Sequence, residues 1–417
     1  MTGASRTLLA FAAFAVILAI APMVFASGTS VTMMSVMGVM IIFALSYNML
    51  LGETGLLSFG HAVYYGLAGF FAAHAMNLAR QQGLPVPLPV IPLVGGVAGL
   101  FFGVLFGAVS TRRAGTVFAM ITLGLGELVS AFALLMRTFF GGEDGISTNR
   151  AKLLPVFGYK FGPQIQIYYL IAIWCFVCVA LMYAITRTPL VRMCNAVRDN
   201  PERAEFVGYS AQRVRFIAFS LSATFAGVAG ALSAINFELM NSHAAGAGQS
   251  GAVLLMTYVG GVGQFIGPII GAVLITFLQT SLSDVTKAWM LYFGLLFIGV
   301  VLFAPGGISG WLALHAPLVR GGRIFRLAPA YALAALPFAA LFVGMVLLIE
   351  LSYHMLVDAA SEGTKTSVFH IAMDGASAPP WIATVVLLVG GVLGLRAVWP
   401  KIGDAWAAAT EPTGGEA

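Results

Sequence analysis

The stretch RTPLVRMCNAVRDNPERAEFVGYSAQRVR (residues 187–215) lies between two long apolar runs and decides how the chain is organised. It holds six arginines and three acids, whereas only 9% of the whole chain is charged. Loops rich in Arg and Lys between membrane spans stay on the cytoplasmic side. The stretch therefore predicts a polytopic membrane protein and fixes the orientation of its spans.

The middle of this stretch has the pattern of a short helix. Asp199 or Asn200 can cap it, and Pro201 suits its first helical position. Glu202 favours the first turn, and Gly208 can end the helix about two turns later. We expect a short, charged helix that faces the cytoplasm. Two roles are open for it: a solvated loop that only fixes topology, or a docking helix for a cytoplasmic partner.

The composition supports a membrane protein throughout. The chain is 59% hydrophobic, with a mean hydropathy of +0.94, and contains 49 glycines, which suit close helix–helix approach in lipid. Its apolar runs are continuous rather than alternating, which argues against a β-barrel. The net charge of +5 follows from cytoplasmic arginines and does not indicate nucleic-acid binding. The fold class is therefore an all-α polytopic membrane protein.

The apolar runs predict about twelve crossings, and two of these could be short or re-entrant, which leaves about ten to twelve transmembrane helices. Counting from Arg6 inside places Arg112 inside, the 137–163 loop outside and the Arg-rich loop inside, as its arginines require. The loop 304–328 is also expected inside. The predicted spans are 8–26, 31–51, 60–79, 90–110, 116–136, 166–186, 214–236, 249–262, 267–282, 287–303, 329–350 and 380–398.

Three regions follow from this order. Residues 1–29 form an N-terminal transmembrane segment that also mimics a signal peptide, and we expect it to be retained. Residues 30–310 form a core that contains the cytoplasmic loop 187–215. Residues 311–417 form a C-terminal extension with two predicted transmembrane helices.

Two glycine-rich turns suggest an internal repeat. Gly52–Gly55 and Gly260–Gly263 both fall on the cytoplasmic side, and each is followed by an apolar run punctuated by glycine. Transporters often contain such repeats, with interrupted helices near the pathway. Chance is the alternative in a chain so rich in glycine, and ordinary close packing is the alternative to a gating role.

No catalytic or metal-binding motif stands out. The phosphate loop G-x-x-x-x-G-K-[ST], H-E-x-x-H and G-x-S-x-G are all absent from the sequence. Cys175 and Cys178 form a C-x-x-C within an apolar run, where we expect small packing residues. His61 is expected to be packed and hydrogen-bonded. We therefore predict no catalytic residues, no bound cofactor and no metal in this chain.

Glu127 lies near the middle of the predicted span 116–136, where a carboxylate is costly and must face protein or water. One hypothesis is a proton or ion site in a coupled secondary transporter, which usually needs several intramembrane charges. The other is a structural hydrogen bond to Asn48 or Gln279. Since Glu127 is the only acid well inside a confident span, the structural hypothesis is favoured.

Three stretches carry a family resemblance: LSYNMLLGETGLLSFGHAVYYGLAGF (45–70), AVRDNPERAEFVGYSAQRVRFIAFSLSATFAGVAGA (196–231), and LLMTYVGGVGQFIGPIIGA (254–272) with LLFIGVVLFAPGGISG (295–310). Together they resemble the membrane-spanning permease of branched-chain amino acid ABC importers, M-type subunit. The resemblance covers roughly residues 30–310. It departs at the C-terminus, because family members commonly end soon after the APGG segment.

The resemblance implies the ABC importer permease fold and a transport subunit of the bacterial inner membrane that is not itself an enzyme. It implies as partners a second homologous permease, two cytoplasmic ATPases that bind ATP and Mg²⁺, and a periplasmic binding protein, with no nucleic acid. Branched-chain or hydrophobic amino acids are the expected substrates, and urea, amides and small carboxylates remain open. The implied ATPase contacts are Arg198, Asp199, Pro201, Glu202, Arg203, Ala204, Glu205 and Gly208. The residues expected along the pathway are Asn48, Gly55, Ser58, Gly60, His61, Glu127, Gly260, Gly263, Gln264 and Gly267.

Overall fold

The computed structural model describes residues 3–84, 86–155, 158 and 160–410, and is predominantly helical over them. The helices are α1 (Gly3–Val24), α2 (Gly28–Thr54), α3 (Ala62–Gln82), α4 (Ile91–Ser110), α5 (Gly115–Leu135), α6 (Arg137–Phe140), α7 (Gln164–Thr186), α8 (Pro189–Asp199), α9 (Pro201–Phe206), α10 (Ala211–Phe237), α11 (Ala247–Gly260), α12 (Ile266–Ser283), α13 (Trp289–Phe303), α14 (Gly307–Arg320), α15 (Ala328–Tyr353), α16 (Ala359–Glu362) and α17 (Ala378–Thr410). The strands are β1 (Ile146–Ser147), β2 (Leu239–Met240), β3 (Lys365–Val368) and β4 (Ile371–Asp374).

Within the described residues, nine helices are long and apolar enough to cross a membrane, or up to ten if α13 and the start of α14 form one bent span. Of the predicted spans, those of α3 and α11 do not qualify, and that of α13 qualifies only together with α14. Helix α11 has only 14 residues, which is too short to cross alone. Helix α3 has 21 residues but carries polar side chains such as His74 and Arg80. More than half of its residues are buried in this chain, so it needs less lipid-facing hydrophobicity.

The prediction of a loop over residues 304–328 is wrong for much of its length, because α14 occupies Gly307–Arg320. Residues 307–319 are mostly apolar and support a helix. The basic residues that suggested a loop come only at and after its last turn, where cations favour a helix end.

The helices form two compact units, and the first consists of Met1–Thr280 with Phe297–Gly310. Its centre is α10, which packs closely against α2, α3 and α4. A Cβ on Gly227 of α10 would lie 2.2 Å from the carbonyl oxygen of Gly95 and 2.9 Å from the Cα of Gly99 on α4. Glycine therefore brings the two backbones into direct contact, as expected for helix packing in lipid.

The two loops predicted outside meet in the structure. Strand β1 pairs antiparallel with β2, which follows α10, with Ile146 opposite Met240. Because the strands belong to the 137–163 loop and to the loop after residue 236, their pairing places both loops on one side, as the span count requires.

The second unit consists of Ser281–Leu296 with Trp311–Ala417 and therefore contains the C-terminal extension. Helices α15 and α17 pack closely in it, since a Cβ on Gly391 would lie 2.6 Å from the backbone nitrogen of Leu341. Strands β3 and β4 form an antiparallel hairpin in the 351–378 segment. The extension is thus an ordered unit with its own helix pair.

Candidate functional site

The Arg-rich stretch is mostly helical, and its residues 189–209, which contain α8 and α9, are called the docking segment below. One face of α8 is buried, and it packs with Ala204 of α9 and the first turns of α10. This packing holds α8 and α9 against the first turns of α10. The buried cluster consists of Cys194, Val197, Ala204, Ala211, Val214 and Ala218.

Helix α9 begins and ends as the sequence predicts. The Asn200 side chain accepts a hydrogen bond from the backbone N–H of Arg203 at 2.9 Å, so Asn200, not Asp199, is the cap. At the other end Gly208 has φ +89°, which favours glycine. Its N–H bonds the carbonyl of Glu205 at 2.9 Å, and the Tyr209 N–H bonds the carbonyl of Ala204 at 3.0 Å. This pair of bonds is the Schellman motif.

The outward face of the docking segment combines acidic and apolar side chains. Phe206 is 92% exposed, Val207 70% and Tyr209 50%, and Glu202 and Glu205 are also exposed. Such a group of exposed apolar side chains is unusual for a surface that only meets water. The face therefore carries an apolar tip flanked by carboxylates.

Ala204 does not belong to that face. Its side chain is 4% exposed and packs within the cluster formed with α8 and α10. The prediction that Ala204 contacts an ATPase is therefore wrong, because α8 and α10 of this chain already cover its side chain. Ala204 packs inside the docking segment, whereas Phe206 is the exposed apolar side chain of α9.

Arg198 joins the docking segment to the end of α2. Its Nη1 donates a hydrogen bond to the carbonyl oxygen of Gly52, and its Nε lies 3.1 Å from Asp199 Oδ1. Its aliphatic part covers Gly55, where a Cβ would lie 2.9 Å from Arg198 Cγ. Gly55 ends α2 at φ +69°. Arg198 therefore connects α8 directly to the C-terminal end of α2.

The two glycine-rich turns of the suspected repeat lie next to each other. The Asn48 side chain on α2 accepts a hydrogen bond from the Gly263 N–H at 3.0 Å. A Cβ on Gly52 would lie 2.9 Å from the same nitrogen. Gly260 approaches Gly267 more closely still, since its Cβ would lie 1.9 Å from the Gly267 carbonyl oxygen. Four of the predicted pathway residues thus form two close pairs, Asn48 with Gly263 and Gly260 with Gly267.

Residues 55–61 connect α2 to α3 without forming a helix and are called the connecting segment. The Phe59 N–H donates to Thr122 Oγ1 of α5 at 3.2 Å, and a Cβ on Gly60 would lie 1.9 Å from the Thr122 carbonyl oxygen. The Ser58 carbonyl accepts from the Tyr47 hydroxyl at 2.9 Å. Ser58 is fully buried, whereas Gln264 in the second turn is exposed.

His61 is packed and hydrogen-bonded, as predicted. It is 1% exposed, and its Nε2 lies 3.0 Å from Ser46 Oγ. Its ring stacks on Phe43 at 5.5 Å and meets Tyr47 edge-on at 5.2 Å. Its Nδ1 and the buried Ser58 Oγ have no hydrogen-bond partner within the described chain.

In the second unit, His354, Asp358 and Glu362 bring ligand atoms within 4.8 Å of one another, as a metal ion would require. Lys287 Nζ lies 3.1 Å from Asp358 and 3.3 Å from Glu362, so an ammonium group already neutralises the carboxylates. An ion would have to displace that ammonium, and the trio is better described as an ion-pair network.

Glu127 does not make the structural hydrogen bond predicted from the sequence. Asn48 is engaged by Gly263, Gln279 is exposed, and Glu127 itself is exposed on α5. No hydrogen bond or ion pair to Glu127 is found over the residues that the structure describes. The sequence suggested neighbours for this carboxylate that the helix packing does not supply.

Arg150 is a structural site that the motif search missed. It is 8% exposed, and its guanidinium donates to the carbonyls of Ile235 and Asn236 at 2.9 and 2.7 Å, at the end of α10. Burial lowers the pKa of Arg150, while Glu238 raises it. The sequence did contain a signal for this site, because Arg150 lies in a loop predicted outside, where the positive-inside pattern disfavours arginine.

Permease proteins of bacterial transport systems are similar in sequence to this chain. LivM, the high-affinity branched-chain amino acid transport system permease protein of Escherichia coli, is 27% identical over 289 residues, covering 64% of this chain and 67% of that protein. BraD of Pseudomonas aeruginosa, a permease protein with the same description, is 25% identical over 285 residues, covering 64% and 90%.

More distant relatives include LsrC of Yersinia pestis, an autoinducer 2 import system permease protein. It is 27% identical over 239 residues, covering 55% of this chain and 64% of that protein. No solved structure matches.

The family described as branched-chain amino acid transport system / permease component matches residues 29–305. That range contains the docking segment, the connecting segment and both glycine turns. With about two thirds of its length matched and several membrane spans, this multi-pass membrane protein belongs to the branched-chain amino acid transport permease family.

Proposed function

We propose that this chain is the membrane-spanning subunit of an ATP-driven importer for branched-chain or other hydrophobic amino acids. It forms the translocation pathway and catalyses no reaction itself. ATP and Mg²⁺ bind to separate ATPase chains. The family membership and the relatives named LivM and BraD support this assignment.

The docking segment is the observation that carries the proposal. A subunit that works through another chain's ATP hydrolysis needs a rigid cytoplasmic contact that reaches its spans. The segment has a capped and stopped α9, an exposed Phe206 tip and a buried α8 face. Its Arg198 bonds to Gly52, beside the connecting segment. Movement imposed at the tip would reach the pathway along these contacts.

The proposal implies a set of partners in the bacterial inner membrane. Two ATPase chains would dock on this segment and on its counterpart in a second, homologous permease. A periplasmic binding protein would deliver the substrate to the opposite face. The loops ordered by the β1–β2 pair and by Arg150 lie on that face in the predicted topology.

Co-purification of the ATPase chains tests the docking surface. We expect Phe206→Asp and Glu205→Lys to insert and to pair with the second permease normally, but to lose the ATPases. A central apolar anchor contributes about 2 kcal/mol or more, which corresponds to at least a thirtyfold loss of affinity at roughly 1.4 kcal/mol per tenfold.

Gln212→Glu is the matched control, since Gln212 is also exposed but lies in the first turn of α10. It should keep the ATPases. Wild-type co-purification for both Phe206→Asp and Glu205→Lys, at normal expression, would rule out the docking segment as the ATPase contact.

The substrate has a second candidate class. The match to LsrC shows that permeases similar to this chain serve systems for molecules other than amino acids. Urea, amides and small carboxylates belong with this alternative. Uptake of labelled leucine, competed by each class of compound in a reconstituted complex with its binding protein, separates the two.

A further inference from the structure

Glu127 occupies the middle of a membrane-spanning helix and points away from its own chain. Helix α5 has 21 residues, so it is about 31 Å long at 1.5 Å per residue, and Glu127 lies about 18 Å from its first residue. The residue is exposed. A carboxylate at this depth is not stable against hydrocarbon and marks a protein interior or a water-filled cavity.

The connecting segment packs against α5 next to the position of Glu127. Gly126, the residue before Glu127, packs on this segment, since its Cβ would lie 3.4 Å from the Cα of Gly60. Gly60 contacts Thr122, about 10 Å along α5 from its first residue. Non-helical backbone at membrane depth occurs only where it is buried in protein or lines a water-filled cavity.

Two further observations concern the surroundings of α5. Ser58 Oγ and His61 Nδ1 in the connecting segment are buried without partners in the described chain, and ordered water commonly satisfies such atoms in proteins. Gly124, one turn before Glu127, has open space where a Cβ would stand, so Gly124 and Glu127 lie together on an uncovered face of α5.

Glu127 is also the only acid in the first unit that lies near the middle of a span. The other seven are near helix ends or in loops. They are Glu53, Glu143, Asp144, Asp199, Glu202, Glu205 and Glu238.

An amino acid zwitterion that leaves bulk water must keep its ammonium group hydrogen-bonded, and a carboxylate is the strongest acceptor that a protein offers. We propose that Glu127 faces the water-filled pathway and binds the ammonium group of the amino acid during passage. This inference rests on the proposed function.

Thiol labelling of the assembled importer tests access to this position. In proteoliposomes, Glu127→Cys should react with both cationic and anionic water-soluble methanethiosulfonates, and leucine with its binding protein should slow the reaction at least severalfold. The native Cys175, Cys178 and Cys194 are buried, which limits background labelling. Absence of labelling in both ATP-bound and ATP-free states would overturn the inference, as would labelling that leucine does not affect.

Transport by charge variants tests the ammonium contact. We expect Glu127→Gln to lower leucine uptake at least tenfold with assembly and ATP hydrolysis intact, Glu127→Asp to retain more uptake, and the neighbouring Leu128→Ala to remain near wild type. A structural hydrogen bond predicts instead that the amide suffices.

A wild-type complex that imports no leucine would refute the proposed function. Wild-type import together with unchanged uptake by Glu127→Gln would refute only the role of Glu127. A basic side chain of a neighbouring subunit that pairs with Glu127 and blocks labelling would also count against it.

Discussion

The substitution Gly208→Val should loosen the docking segment without changing the acidic and apolar side chains on its surface. Gly208 has φ +89°, and no atom lies within 4 Å of where its Cβ would stand. The valine therefore meets no neighbour, and its cost is the left-handed backbone alone, about 1–2 kcal/mol and more for a β-branched residue. Since about 1.4 kcal/mol changes an equilibrium tenfold, the fraction of α9 that is open should rise about tenfold or more.

Hydrogen exchange of the purified permease in lipid nanodiscs measures this opening. The amides to follow are Ala204, Gly208 and Tyr209, which are bonded in the intact helix. In Gly208→Val their protection should fall about tenfold, whereas Gly208→Asn should stay much closer to wild type because Asn tolerates the left-handed region. Equal exchange in wild type, Gly208→Val and Gly208→Asn would refute the claim that Gly208 holds α9.

Two further predictions concern buried polar groups at opposite ends of the first unit. Arg150→Met should destabilise the 137–163 loop by about 2–3 kcal/mol, because the Ile235 and Asn236 carbonyls lose the guanidinium that donates to both of them. Trypsin should therefore cleave at Lys152 faster than in wild type, measured in inside-out and right-side-out vesicles. Unchanged cleavage would contradict this prediction. Burial raises the pKa of the Cys194 thiol from 9.0 to about 12, so iodoacetamide should label this thiol slowly at pH 8. The packing of α8 should weaken as the pH rises from 9 towards 12, because the thiolate is not stable in the buried site. Rapid labelling at pH 8 in the folded protein would show that the thiol is not buried.

The sequence predicted those features of the fold that depend on neighbouring residues alone. Asn200, Pro201 and Gly208 mark the ends of α9 because capping and backbone strain depend on adjacent residues only. The apolar runs mark most spans because hydropathy sets what enters lipid. Helix α3 shows the limit of that rule, since a helix covered over more than half of its residues by its own chain needs less lipid-facing apolar surface.

Tertiary contacts decided what the sequence could not. The outward direction of Phe206 and the inward direction of Ala204 depend on which face of α9 packs against α10. The hydrogen bond of Asn48 to Gly263 joins residues far apart in the chain, and it removes the partner predicted for Glu127. No spacing rule identifies such pairs.

If the docking segment drives the pathway through Arg198, the number of leucine molecules imported per ATP hydrolysed must depend on this side chain, and that ratio is the most direct measurement. Arg198→Met keeps the aliphatic cover on Gly55 but removes the charged hydrogen bond to Gly52, which contributes about 1.5–3 kcal/mol. The control is Arg213→Met, the same change at an exposed arginine of α10 outside the docking segment. In the reconstituted importer we predict that Arg198→Met keeps the ATPases and their hydrolysis while leucine imported per ATP falls about tenfold or more, with Arg213→Met near wild type. An unchanged ratio in Arg198→Met would contradict the account.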